Sequence, residues 1–231
     1  MISKIISAIE KNKVSSVEIA DAFNKTGVLN YIKVFNPGHF VVGKIKYLCT
    51  YSESNWPLHE QIIDLEEDVI LYVDSFGCKN RAIFGDIVSK YMFLYKRVKG
   101  VIVNGFIRDA HRIRKENYPI WCKGVTPLGC FNKQVELTPE INDYMEQQKA
   151  YFDNAIAVCD DSGCTIISKE KINQDCLNRI EFIELQEDIW YFCLDTLKWD
   201  TFKTICKKEY LNQKDILPKQ IQDRLLKYNF D

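Results

Sequence analysis

One local pattern occurs twice between Val69 and Gly129, and it constrains the fold more than any other part of the chain. An apolar run from Val69 to Val73 leads to a glycine turn at Gly77, and Gly85-Asp86 then opens a helix-like segment. A β-branched strand from Val101 to Val103 leads to the pair Asn104-Gly105, read as a turn, and Arg108-Asp109 then stands at the mouth of a short helix. That helix is expected to end near Asn117, because Pro119 biases Tyr118 towards an extended backbone. Both acids therefore sit where a strand gives way to a helix, and unpaired amides and the helix dipole favour anions there. Two carboxylates and an arginine beside glycine turns suit a small anionic ligand held on a divalent metal.

The rest of the chain alternates strands and helices, which argues for α/β layering. Helices are expected over residues 2–11 and 16–24, with Ser15 or Ser16 capping the second, whose apolar residues Val17, Ile19, Ala20 and Phe23 follow a helical period. A strand over 40–51, a helix over 56–65 and a strand over 69–74 come next; after the repeated pattern, strands fall near 119–123, 155–160 and 164–168. Gly163 supplies a tight turn between the last two. The segment 134–154 reads as partly helical and as a shaper of the entrance to the site. The tail from Asn173 to Lys208 reads as helical, anchored by Phe182, Trp190, Tyr191, Phe192, Trp199 and Phe202. Residues 209–231 form a short amphipathic extension in which Pro218 starts a final helix.

With 231 residues, 46% of them hydrophobic, the chain can bury a sizeable core in one domain with a helical appendage. Its 31 basic and 32 acidic residues leave a formal charge of −1 and no overall footprint for nucleic acid. The clusters Lys96, Arg97, Lys99 and Arg112, Arg114, Lys115 read as solvated helix faces. Nine cysteines lack both a C-x-x-C pair and a zinc spacing, so they are expected to act as small core residues in a reducing cytoplasm. The first residues do not read as a secretory leader, and no apolar run nears 18 residues, so no membrane partner is expected. Of the three histidines His39, His59 and His111, the last follows Asp109 by two positions and is expected to face solvent.

In order, the chain carries Gly-Asp before a helix, Asn-Gly-x-x-Arg-Asp at 104–109, Pro-Ile-Trp-Cys-Lys-Gly-Val-Thr-Pro-x-Gly at 119–129 and Asp-Asp-Ser-Gly-Cys-Thr-Ile-Ile at 160–167. With the segments VSSVEIADAF and VVGKIKYLCT, this set resembles the metal-dependent class II pyruvate aldolases of the 4-hydroxy-4-methyl-2-oxoglutarate/4-carboxy-4-hydroxy-2-oxoadipate type. The regulator of ribonuclease activity A is related to them and shares their fold. The resemblance covers roughly residues 10–211. It implies a layered β/β/α swivelling-domain-like core over residues 1–172, with residues 173–231 as a C-terminal helical extension packing on that core or on a neighbouring subunit, one domain overall.

The resemblance also implies a chemistry: retro-aldol cleavage or decarboxylation of a small 2-oxo acid through a pyruvate enolate, with Mg²⁺ or Mn²⁺ as cofactor. It makes Asp109 the direct metal ligand, and Asp86 a ligand through water and an aid to proton transfer. Arg108 grips the substrate's carboxylate and keto oxygen, and the amides of Ile87 and Val88 bind the carboxylate. A further acid is implied from the neighbouring subunit of a homotrimer or dimer of trimers; Glu184 is the favoured residue, with Glu187 as the alternative. Other readings stand beside these: a non-catalytic regulator that binds an RNA-processing protein, or the same scaffold in another small-molecule pathway. Asp109 could equally be an N-cap, Asp86 a first-turn acid, Arg108 a surface ion-pair residue, and the two glutamates a solvated face. The presence of an acid at Asp86 favours the enzyme over the regulator. Asp86 and Arg108 lie 22 positions apart, one more than the family spacing, so the intervening helix or turn must absorb an inserted residue.

Overall fold

In the computed structural model, which describes residues 1–228, the chain opens with helices α1 (Ile2–Asn12) and α2 (Ser16–Ala22). Ser15 is the cap of α2: its hydroxyl accepts from the Glu18 amide while the Glu18 carboxylate accepts from the Ser15 amide, a reciprocal capping box. Then come β1 (Lys33–Val34), β2 (Val41–Tyr51), α3 (Trp56–Gln61), β3 (Ile70–Phe76), β4 (Ala82–Phe84) and α4 (Asp86–Lys90), which runs on as a π-helical turn over Tyr91–Tyr95. β5 (Gly100–Ile107), α5 (Ala110–Glu116), β6 (Ile120–Val125), α6 (Pro139–Phe152), β7 (Ile156–Asp160) and β8 (Gly163–Ile167) complete the layered part. α7 (Gln174–Asp195) and α8 (Lys219–Leu225) form the C-terminal extension, whose last three residues lie outside the described ones.

The strands line up in the order β1-β6-β5-β3-β2-β7-β8, with β4 beside β5. β2, β3, β5 and β6 are parallel, and β1, β7 and β8 pair antiparallel at the flanks. The parallel strands are covered on both faces, which explains why β3 and β5 read as continuous apolar runs. On one face Leu71, Val73, Val101 and Val103 pack with Leu58, Met92 and Ile113 from the helical side. On the other, Tyr72, Ile102 and Trp121 pack with Phe152 at the end of α6. Seven of the nine cysteines are buried, as small core residues should be; Cys130 is half-buried and Cys206 exposed.

The helix that begins at Asp86 ends in one widened turn. A π turn holds one residue more than the α turn it replaces, and Tyr91–Tyr95 is wound that way. Asn104-Gly105, in contrast, is no turn. β5 runs through both residues to Ile107, with a register shift between Val103 and Phe106. Gly105 is there for closeness: a Cβ on it would stand 2.8 Å from Ile83 Cδ1 and 2.9 Å from Ser75 Oγ. The bulge is tied down from β3, where Ser75 Oγ donates to the Asn104 carbonyl at 2.7 Å and the Asp74 carboxylate accepts from Asn104 Nδ2 at 2.7 Å.

α7 joins two separate cores. Cys176, Ile180 and Ile183 pack with α1, α2 and β7, while Leu185, Ile189 and Cys193 pack with Tyr210, Leu217 and Leu225. Trp190, Phe192 and Trp199 anchor this second cluster, and Phe182 meets the ring of Tyr228 at 5.5 Å. Tyr191 and Phe202, expected as anchors, are instead 64% and 61% exposed, because only one side of each helical stretch meets the cluster. The tail is also not one helix to residue 208: α7 stops at Asp195, and a separate π turn follows over Phe202–Cys206.

Asp74 is 1% exposed and its second oxygen accepts from Tyr144 of α6 at 2.7 Å and from Tyr47 at 3.4 Å. Tyr144→Phe leaves that buried oxygen with the long bond alone. The expected loss is about 1–3 kcal/mol of unfolding free energy, read from the urea midpoint at unchanged m-value.

Candidate functional site

β4 and β5 run parallel, with Phe84 opposite Ile107, so the two chain segments that leave their ends lie side by side. One is Gly85-Asp86 and the other Arg108-Asp109. The Arg108 amide donates to the Phe84 carbonyl at 3.0 Å, which locks the two exits together. Asp109 occupies the N-cap position of α5 but does not cap it: its side chain makes no cap hydrogen bond, and its backbone sits in the left-handed region at φ 56°. That conformation is uncommon for a non-glycine residue and turns the carboxylate across the gap, where Oδ2 accepts from the Asp86 amide at 3.3 Å. Asp109 therefore serves the start of α4 rather than of its own helix.

Two glycines make room for this arrangement. A Cβ on Gly85 would lie 2.0 Å from Asp109 Oδ2, and one on Gly129 would lie 2.5 Å from Arg108 Nη1. The Arg108 guanidinium thus rests against the Gly129 backbone, with its Nε 3.7 Å from Asp109 Oδ2. Arg112, one turn into α5, donates from Nη1 to Asp86 Oδ2 at 2.9 Å. That hydrogen bond holds the Asp86 carboxyl below its ordinary value, and the nearby Asp109 and the Ile87 amide act in the same direction.

The residues named from the sequence, Asp86, Ile87, Val88, Arg108 and Asp109, all line one cleft of about 170 Å³, smaller than a drug-sized site. Its opposite wall comes from Asn55 and His59 of the α3 region and from Cys130 and Asn132 after β6. Backbone bonds from Asn55 to Phe131 and from Phe131 to Glu53 bring these distant segments together, at 3.1 and 2.8 Å. No local spacing in the sequence announces that wall. Arg112 did have a signal: at three positions past Asp109 it lies on the same helical face, although its charge run reads as solvated.

Other expectations fall elsewhere. His111 is exposed, as expected, and does not line the cleft. None of residues 134–154 lines it either; α6 packs on β2 and sends Tyr144 to Asp74 instead. Glu184 and Glu187 lie on α7, away from this cleft in their own chain. Glu184 accepts from Asn12 at 3.0 Å while its Oε1 is buried without a hydrogen-bond partner, and burial raises both carboxyls above the ordinary range.

Two outcomes follow for this geometry. Gly85→Ala must push Asp109 or Arg108 out of place, so the variant is expected to keep its circular dichroism spectrum while the Asp109 carboxyl-carbon NMR resonance moves. Arg112→Gln should move the Asp86 titration up towards the ordinary carboxylate value, followed by carboxyl-carbon NMR. Because the folded-state value is depressed, the stabilisation from Asp86 is present above the unfolded value and lost as pH falls through the folded one. The variant should therefore show a weaker loss of stability on acidification.

The chain was compared with known proteins. A family model described as RraA-like, Aldolase/RraA, matches residues 16–166. Protein DlpA of Legionella pneumophila is 25% identical over 191 residues, which are 75% of this chain and 29% of that protein. A Halalkalibacterium halodurans protein, named provisionally as a 4-hydroxy-4-methyl-2-oxoglutarate aldolase, is 30% identical over 109 residues, 47% of this chain and 51% of that one. The chain thus spans about half or less of the length of these two relatives. Among solved structures, an uncharacterized protein from Pseudomonas syringae superposes with a TM-score of 0.65 at 18% identity, covering 85% of this chain and 90% of the other. Streptomyces coelicolor RraAS2, described as an unusual member of the RNase ES inhibitor RraA family, does so with a TM-score of 0.59 at 22% identity, covering 80% and 96%. These two likenesses show the fold. With the family match running from α2 to β8 and enclosing every lining residue of the cleft, the chain belongs to the RraA-like, Aldolase/RraA, family.

Proposed function

We propose that the chain is a divalent-metal-dependent carbon–carbon lyase that cleaves or decarboxylates a small 2-oxo acid to pyruvate. The observation that carries this reading is Asp109: a left-handed N-cap residue whose carboxylate leaves its own helix to stand beside Arg108 and the start of α4, in space kept open by Gly85. Strained backbone positions cluster at ligand-binding sites, and this one faces the cleft.

The donor set fits Mg²⁺ or Mn²⁺. Both ions take hard oxygen ligands, and Mg²⁺ keeps several waters and needs only one or two protein carboxylates. Asp109 would hold the ion directly, Asp86 would hold it through water, and Glu184 of a neighbouring subunit would complete the set in a homotrimer or dimer of trimers. When bound, the ion neutralises the negative charge that develops as the enolate forms. The protein's own part is positional. Arg108 presents a planar fork to the carboxylate and keto oxygen, which a lysine cannot imitate. The Ile87 and Val88 amides, at a helix start where intrahelical acceptors are lacking, donate to the same carboxylate. In the aldol cleavage Asp86, kept ionised by Arg112, accepts the proton that leaves the C4 hydroxyl and returns it to the enolate carbon, whereas in the decarboxylation CO₂ leaves and that carbon takes its proton from water. The aldolase name of the Halalkalibacterium halodurans relative at 30% identity supports the same chemistry.

The second reading is a regulator that binds an RNA-processing protein, supported by the RraA descriptions of structural neighbours. No described helix is long and apolar enough to cross a membrane, and the proposed setting is the cytoplasm.

Pyruvate release from oxaloacetate and from 4-hydroxy-4-methyl-2-oxoglutarate, with and without Mg²⁺ or Mn²⁺, tests the proposal. Turnover should require the metal, fall by about 10²–10³-fold in Asp109→Ala and Arg108→Ala, and stay low in Arg108→Lys. Metal-independent turnover at full rate in Asp109→Ala would sink the mechanism, and absence of turnover with stable capture of an RNA-processing enzyme would establish the regulator.

A further inference from the structure

Two pairs of cysteines in this chain are neighbours. Cys159 and Cys164 are register partners across β7 and β8, 0% and 2% exposed, and sealed in the core. Cys78 and Cys130 meet where the turn before β4 packs on the segment after β6. Cys78 is 1% exposed, but Cys130 is half-buried and lines the cleft with Arg108 and Asp109. The second pair, unlike the first, is open to a dissolved reagent.

The backbone holds these two thiols together. The Arg81 amide donates to the Cys78 carbonyl at 3.1 Å, the Ala82 amide to the Leu128 carbonyl at 2.7 Å and the Cys130 amide to the Ala82 carbonyl at 2.9 Å. Arg81 Nη1 adds a bond to the Gly129 carbonyl at 3.0 Å, and its guanidinium lies 4.4 Å from the Phe131 ring centre. Both cysteines are thus carried on segments stitched to each other through Arg81 and Ala82. Their electrostatics divide the labour. The neighbouring Cys78 thiol, with Arg81 and Arg108 nearby, holds the Cys130 thiol below the ordinary value against burial and the Glu53 carboxylate. Neighbouring Cys130 and burial raise Cys78, whose own Sγ donates to the Phe76 carbonyl at 3.8 Å. A partly exposed thiol in positive surroundings, backed by a protonated partner, is the arrangement of an attacking and a resolving cysteine.

We propose that Cys130 and Cys78 form a hydroperoxide-reactive pair in the cleft wall, with Cys130 attacking and Cys78 resolving. The Cys130 thiolate attacks one peroxide oxygen: an S–O bond forms, the O–O bond breaks, and the departing oxygen leaves as hydroxide or alkoxide and takes a proton. Cys78 sulfur then attacks the sulfenic sulfur: the S–S bond forms, the S–O bond breaks, and water leaves with the Cys78 proton. Two electrons pass from the two thiols to one hydroperoxide, and a dithiol reductant reverses the change. The bond would draw Gly129-Cys130 towards Cys78, and Arg108 rests on Gly129. This last consequence rests on the function proposed above.

The test treats the purified 231-residue chain with hydrogen peroxide, blocks remaining thiols with iodoacetamide and maps peptides by mass spectrometry without reduction. A Cys78–Cys130 linked peptide is expected, lost on adding dithiothreitol, with Cys159 and Cys164 unlinked. In Cys78→Ser, folded by circular dichroism, Cys130 should instead be trapped by dimedone as the sulfenic acid. Cys130 recovered as free thiol, carried to the sulfinic acid with Cys78 still free, or linked only to Cys206 would overturn the pair. In the same samples, oxidation should lower metal-dependent pyruvate release by about tenfold or more in the unaltered chain and not through a disulfide in Cys78→Ser. A linked peptide in a protein whose reduced form has no turnover would overturn the lyase reading and leave the thiol pair standing; turnover without a linked peptide would do the reverse.

Discussion

β2 is paired twice, and the rest of the structure depends on that. Val41 to Lys44 hydrogen-bond antiparallel to β7, while Ile45 to Tyr51 run parallel to β3. One eleven-residue strand therefore fixes both the parallel strands that carry the cleft and the antiparallel pair that packs on α1, α2 and α7. Where the change of partner occurs the space is tight: a Cβ on Gly43 would lie 3.1 Å from Ile70 Cγ1. From β2 the register passes to β3, then to β5, then to β4, whose end delivers Gly85. Each step is a backbone ladder, so the cleft inherits the precision of the sheet although its residues sit in the connections beyond it.

Within the cleft, a backbone position held against its preference does the orienting. A left-handed aspartate costs on the order of 1–2 kcal/mol and persists only where its surroundings over-determine it. Here they do, through the Arg108 amide bond to Phe84, the absence of a side chain at Gly85 and the start of α5 immediately after Asp109. Arg112 then draws Asp86 towards α5, so the two carboxylates are set by opposite ends of one short helix's first turn. Like charges brought this close repel, which is one reason cationic Arg108 and Arg112 flank them.

Much of this was legible in the sequence, for reasons that differ by element. β3 and β5 announced themselves by apolar continuity, and α2 by its cap at Ser15, because those signals are local. The near wall of the cleft was legible because Gly85-Asp86 and Arg108-Asp109 are contiguous pairs at strand ends. The far wall was not: Asn55, His59, Cys130 and Asn132 reach it through backbone bonds between segments some 75 positions apart, such as Asn55 to Phe131. Asn104-Gly105 misled because the same dipeptide that favours a tight hairpin also suits a bulge where another strand's side chains crowd the backbone. Tyr191 misled because the apolar residues of α7 are spread around its axis, and Phe202 because it lies on a separate π turn beyond α7.

The π turn at Tyr91–Tyr95 has a consequence of its own. Each residue of an α-helix advances the side-chain direction by about 100°, so an extra residue left in ordinary winding would swing everything after it round the axis. Widening a single turn takes up that rotation within five residues. The π turn thus sets the phase between its two sides: Asp86 before it lines the cleft, and Val98 after it packs in the core.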